Sequence, residues 1–171
     1  GRNLWISGTS YQKRNGDSLN NCWFIAIRPQ KYGDSHIVPS YLGKSQVAVS
    51  MPFSFLFDQL MKGGGVGFSV VKDNIEKIPK IDKKSKSYDA SVKMGATDKD
   101  KWSQENKNAD DYVYYKLPDT REGWILANAR LIDMHFNQTN PDKKTKLVLD
   151  ISDIRPYGAK IHGFGGTASG P

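Results

Sequence analysis

The chain has 171 residues, 37% of them hydrophobic and 25% charged, with a formal net charge of +7, a pI of ≈ 9.4 and a mean hydropathy of −0.60. That length suits one domain with a sizeable core, and no apolar run reaches the roughly 18 residues of a membrane-spanning helix. The basic excess favours anionic partners such as nucleotides, nucleic acid or acidic surfaces; a basic surface that only serves solubility fits it equally well.

The low hydropathy implies much loop surface, or contacts with a larger parent protein. The single cysteine, Cys22, leaves no internal disulfide, and the opening GRNLWISGTS lacks the apolar core of a signal peptide. Both favour a reducing, cytoplasmic setting. Composition divides the chain into a fairly apolar zone (1–71), a highly charged one (72–119) and a third with strong structural signals (120–171), and no internal repeat is present.

In chain order, CWFIAIRP (22–29) reads as a buried strand stopped by Pro29, because it is short, apolar and rich in aromatic and branched residues. Ser50 can cap a helix over MPFSFLFDQLMK with Pro52 in its first turn. Phe53, Leu56, Phe57 and Leu60 would form its apolar face. Gly63 to Gly65 end that helix, and VGFSVV (66–71) predicts a second buried strand. The charged middle, with KIPKIDKKSKSYDASVK and TDKDKWSQENKNADD, reads as a solvated surface insertion.

Asp119-Thr-Arg-Glu122 resembles a capping box. It predicts a helix to about Phe136, with Trp124, Ala127, Leu131 and His135 on one face and Ile125, Ile132 and Phe136 broadening it. NQTNPDKK is a turn, and KLVLDIS (146–152) a strand carrying the polar Asp150. The last 22 residues hold five glycines and two prolines, so they form neither a helix nor a central strand.

Three places could carry chemistry. In the tail, Gly163, Gly165 and Gly166 offer bare backbone N–H groups, with Arg155, Lys160 and His162 as neighbouring cations, a combination that holds phosphates. GFGGTA fits G-x-G-x-x-A only formally, since a dinucleotide fingerprint needs a strand directly before it and an acid about 20 residues later. A structural glycine-rich turn is the alternative. The run Gly63-Gly64-Gly65-Val66-Gly67 exceeds what a helix end requires; it admits either a ligand or a closely packed strand. Cys22 heads an apolar strand, where a lone cysteine is usually a small core hydrophobe. His36, His135 and His162 lack metal-ligand spacing, so no metal site is expected, and His135 reads as a satisfied helix residue. Trp23 and Trp124 read as core packing rather than base stacking.

Four segments, SLNNCWF (18–24), MKGGGVGFSV (61–70), LPDTREGWILANARLID (117–133) and KLVLDISDIRPYGAKIHGFGGTASGP (146–171), resemble the monomeric, lactobacillus-type adenosylcobalamin-dependent (class II) ribonucleoside-triphosphate reductases. The resemblance spans nearly the whole chain in the same order. It implies an α/β fold, a partial ten-stranded α/β barrel with an effector-site insertion. Residues 1–71 would be a barrel segment, 72–149 an insertion completing the effector site, and 150–171 an effector loop returning to the barrel. In dimeric relatives the strand after GGGVG runs almost directly into R-P-x-G; here the insertion would imitate the missing partner subunit.

The same resemblance implies that the parent enzyme reduces a nucleoside triphosphate at the ribose 2′ position through a cobalamin-initiated thiyl radical. Cys22, after Asn21, would be one of two redox-active cysteines, the other lying outside this chain. Asn21, Cys22, Gly64 and Gly65 would line the substrate. Arg155 and the loop glycines Gly163, Gly165 and Gly166 would contact a deoxynucleoside triphosphate effector, and Lys160 and His162 are added from charge and position. The remaining implied partners are adenosylcobalamin, bound outside this chain, and a thioredoxin-type reductant acting on a monomer. The abrupt end inside the last motif is expected of a fragment without turnover of its own. A catalytically silent basic module for nucleotides or single-stranded nucleic acid is the alternative from a different class.

Overall fold

The computed structural model describes residues 4, 7–20, 22–33, 37–40, 42, 46–81, 89–93, 112–136, 146–161 and 166–170. A short helix α1 (Ser10–Asn15) begins at Thr9, whose hydroxyl accepts from the Gln12 N–H, and runs into a 3-10 turn at Gly16–Leu19. Strand β1 (Cys22–Ala26) follows, then the two-residue strands β2 (Gln30–Lys31) and β3 (Val47–Ala48), helix α2 (Met51–Met61), strand β4 (Gly65–Ser69) and one helical turn, α3 (Lys72–Ile75). The charged middle contributes β5 (Asp89–Lys93) and β6 (Tyr112–Lys116). Helix α4 (Arg121–Met134) and strand β7 (Lys146–Asp150) complete the described elements.

The strands form three small sheets. β1 and β4 pair in parallel, with Cys22 opposite Gly65 and Ala26 opposite Ser69. β2 and β3 pair antiparallel. β5 and β6 both run parallel to β7, which lies between them. Leu147 and Val148 are successive on β7 and both fully buried. Successive strand residues point to opposite faces, so this sheet is covered on both sides. Tyr32, Leu42 and Ala48 form a second cluster with Val38 and Met51 packed against it.

Of the two strands expected to be buried, β1 is buried only at Ile25 and β4 at no residue. β1 exposes Cys22 and 70% of Phe24, and β4 leaves Phe68 57% exposed, with Val70 and Val71 beyond it also exposed. Their apolar sequence sets strand propensity, but the pair is covered on one face only, where Ile25 is buried and Trp23 packs on Phe55. The sequence reading placed the wrong face of α2 inward. Leu60 is exposed and Phe53, Leu56 and Phe57 are only half-buried, whereas Ser50, Ser54, Asp58 and Lys62, spaced four apart, are buried. In α4 the expected Ile125 and Ala127 are buried, but so are Ala129, Asp133 and Met134, while Trp124, Leu131 and His135 are only half-buried.

Helices α2 and α4 pack against each other. Their i, i+4 rows meet, a common ridge-into-groove arrangement. The start of α2 touches the end of α4 through Ser50 and Asp133, and its end touches the start of α4 through Asp58 and Arg121. The helices are therefore antiparallel.

Candidate functional site

The β1–β4 register sets the first group of residues side by side. Cys22, the first residue of β1, is exposed and lies opposite Gly65, the first residue of β4. A solvent-facing thiol at a strand end departs from the core-hydrophobe reading. Gly64 is buried where α2 gives way to β4. Its N–H donates to the Gln59 carbonyl at 2.8 Å, and a Cβ there would come within 3.1 Å of that oxygen and 3.5 Å of the Trp23 ring. Close packing thus favours glycine there, and Gly63 supplies the left-handed turn, φ +79°, that releases the helix. Trp23 is wedged edge-on against Phe55, with ring centroids 5.6 Å apart, and its indole N–H is buried without a hydrogen bond. Asn21 lies outside the described residues.

The second group is the tail. After Asp150 the chain turns through Ser152 to Arg155, then doubles back as a narrow hairpin. Lys160 bridges Thr167, Ile161 N–H donates to the Gly166 carbonyl, and the amides of Gly158 and Ala168 bond across it. Gly158 and Gly166 take φ +82° and +84°, so both bends need glycine. Lys160 and Gly166 are exposed, whereas His162, Gly163 and Gly165 lie outside the described residues.

Arg155 is anchored rather than free. Its Nε donates to Asp119 Oδ2 at 2.6 Å, Nη1 to the Lys160 carbonyl at 3.2 Å and Nη2 to the Asp119 carbonyl at 3.5 Å. Three of the guanidinium's five N–H groups are engaged. Asp119 is therefore not a cap residue. Thr120 is the N-cap of α4, accepting from the Gly123 N–H at 3.0 Å, and the residue three beyond it is glycine, so no reciprocal box forms.

Behind both groups lies a buried polar seam that the sequence reading did not find. Asp133 accepts the Ser50 amide at 3.0 Å and the Ser50 hydroxyl at 2.6 Å, so Ser50 begins α2 without capping it through its side chain. Tyr32 OH joins Ser50 Oγ at 3.0 Å and Ser54 Oγ at 2.8 Å. Burial pushes the Tyr32 phenol above its usual value despite those two hydrogen bonds. At the other end of the seam Asp58 pairs with Lys62 at 2.8 Å and with Arg121 at 3.3 Å. Only the four-residue spacing of polar groups on α2 hinted at this in the sequence.

Asp150, at the end of β7, is fully buried. Burial alone would raise its carboxyl, but hydrogen bonds from Tyr114 and Ser152 and the Lys116 charge hold it below the ordinary carboxylate range. His135 is satisfied by the Leu131 carbonyl at 2.6 Å. Among the described residues no three His, Cys, Asp or Glu side chains come together as a metal site.

Known proteins share this arrangement. A family model described as "B12-dependent ribonucleotide reductase, insertion domain" matches residues 76–171. Proteins named adenosylcobalamin-dependent ribonucleoside-triphosphate reductase are 78% identical in Lactobacillus gasseri, 77% in Lactobacillus acidophilus and 70% in Lactobacillus leichmannii, each over the whole chain. A crystal structure of a B12-dependent (class II) ribonucleotide reductase superposes with a TM-score of 0.85 at 66% identity over 99% of the chain. The chain spans 24% of the length of each of these proteins.

Proposed function

The chain belongs to the B12-dependent ribonucleotide reductase family, and from that premise we propose that it is part of an enzyme converting ribonucleoside triphosphates to deoxyribonucleoside triphosphates. Within it, this chain supplies one reducing thiol, a wall of the substrate site and the loop that reads a deoxynucleotide effector. The observation that carries the reading is the register of β1 on β4, which sets the exposed Cys22 thiol beside the glycine run. A thiol at a strand end, with no side chain on the opposing Gly65, leaves room for a sugar to approach both.

The chemistry needs a dithiol. Cys22 and a second cysteine of the longer protein give up two electrons and two protons and close to a disulfide; the ribose 2′-hydroxyl leaves as water and a C–H bond takes its place. Adenosylcobalamin supplies the radical that starts the reaction when it is bound. A thioredoxin-type reductant restores the dithiol of a monomeric, cytoplasmic enzyme.

The division into 1–71, 72–149 and 150–171 follows the same reading. The family match over residues 76–171 begins near the proposed boundary and runs on through the tail, so it favours an insertion without separating 150–171 from it, and the Arg155–Asp119 contact ties the loop to the preceding segment. Arg155 would give its remaining N–H groups, and the Lys160 ammonium its charge, to effector phosphates.

The test is Cys22→Ser in the full-length enzyme. The expected result is loss of multiple turnover, with at most one product per active site from the remaining thiols. Normal multiple turnover would overturn the redox role of Cys22.

A further inference from the structure

We propose that Arg121 and Asp58 are positioning residues that transmit the state of the glycine-rich hairpin to the Gly64–Gly65 segment, and so help set which base is reduced. The proposal rests on the hairpin being the effector site. Contacts run without a break from one to the other. Arg155 holds Asp119 at 2.6 Å. One residue later Thr120 caps α4, and Arg121 is that helix's first residue. Arg121 reaches across to Asp58 at 3.3 Å, and Asp58 holds Lys62, the residue that follows α2, at 2.8 Å. The chain then passes through Gly63 and Gly64 to Gly65, opposite Cys22.

The two ends of the α2–α4 seam are built differently. At one end the Asp133 carboxylate takes two hydrogen bonds from Ser50, at 3.0 and 2.6 Å. At the other end the Asp58–Arg121 contact is an ion pair at 3.3 Å, with Asp58 Oδ1 accepting no hydrogen bond. Glu122 also draws on Arg121, at 2.6 Å from Nη2. The Ser50 end is held by hydrogen bonds and the Asp58 end by ion pairs, and it is the ion-paired end that leads into the glycines. Both carboxylate and guanidinium are largely shielded, with side-chain exposures of 10% and 20%, so water screens their coupling little. A displacement of Asp119 on effector binding therefore shifts the helix start and, through Arg121, the exit of α2.

The experiment uses the full-length reductase with competing nucleoside triphosphates, with and without a deoxynucleoside triphosphate. Arg121→Gln is the main variant, because Asp58 keeps Lys62 and the helix keeps its cap. It should bind the deoxynucleotide within about threefold of wild type by calorimetry and retain effector-free turnover. The effector-induced change in substrate preference, read as a ratio of kcat/KM values, should fall on the order of tenfold. Arg121→Lys should restore part of that change, and Asp58→Asn with Arg121→Gln should lose no more than Arg121→Gln alone. A wild-type effector response in Arg121→Gln, or a response lost only together with effector affinity, would overturn the proposal. Unchanged deoxynucleotide affinity in Arg155→Ala would instead overturn Arg155 as the effector contact, and leaves the Arg121 comparison readable.

Discussion

The β1–β4 pair and the β5–β7–β6 sheet are both parallel, yet they treat their apolar side chains in opposite ways. β7 has a neighbour on each side and hides both Leu147 and Val148 completely, while Phe24 of β1 and Phe68 of β4 stand 70% and 57% exposed. Parallel sheets are ordinarily covered on both faces. The three-stranded sheet meets that condition within the described residues and the pair does not. Hydrogen-bonded pairing and burial are thus separate achievements, and only the second requires a further layer of structure. In the proposed enzyme the exposed pair presents the chemistry, with Cys22 and Gly65 at its end, and the closed sheet leads into the loop that regulates it.

The contrast can be broken by mutation. Leu147→Ala should cost about 2–5 kcal/mol, because a fully buried leucine leaves a cavity in a covered sheet. Phe24→Ala should change stability by no more than about 0.5 kcal/mol. Urea midpoints of the two variants check this, and equal losses would mean that Phe24 is covered in solution. A smaller effect is expected at the seam that joins the two regions. Asp133→Ala strands the Ser50 amide and leaves the Ser50 hydroxyl with Tyr32 alone, and should cost about 1–3 kcal/mol, with Ser50→Ala adding little on top of it.

The smallest effect is a pH dependence confined to the closed sheet. The lowered Asp150 carboxyl stabilises the fold above the ordinary carboxylate pKa of about 4, and that contribution is lost as pH falls through the lowered value. Asp150→Asn should flatten the acid limb of a stability–pH curve measured by thermal melting, whereas substitutions in the β1–β4 pair should leave that limb unchanged.

Local signals fixed much of this protein in advance. The apolar runs at 22–29 and 66–71 became strands, Pro52 marked the first turn of α2, the triple glycine ended that helix, and the proline- and glycine-rich tail formed a hairpin instead of a helix. These depend on backbone propensity, which neighbouring residues settle among themselves. Capping was read less well. Ser50 and Asp119 have the right chemistry for helix starts, but their polar groups are taken by Asp133 and Arg155, partners 83 and 36 residues away.

What lies inside was decided by tertiary structure alone. An amphipathic pattern names a face and assumes that the face meets apolar partners; in α2 the face that meets α4 is polar, Ser50, Ser54 and Asp58, because α4 offers Asp133 and Arg121 in return. No local rule couples position 58 to position 121, and none assigns Cys22 to solvent rather than the core. Sequence by itself determined the family and the elements with strong local signals, β1, α2, β4, α4 and β7, whereas β5 and β6 arose in the charged stretch read as a solvated insertion, where pairing with β7 decides. The fold determined the neighbours, the opposition of Cys22 to Gly65 and the polar seam behind it, since register and helix packing are set by residues far apart in the chain.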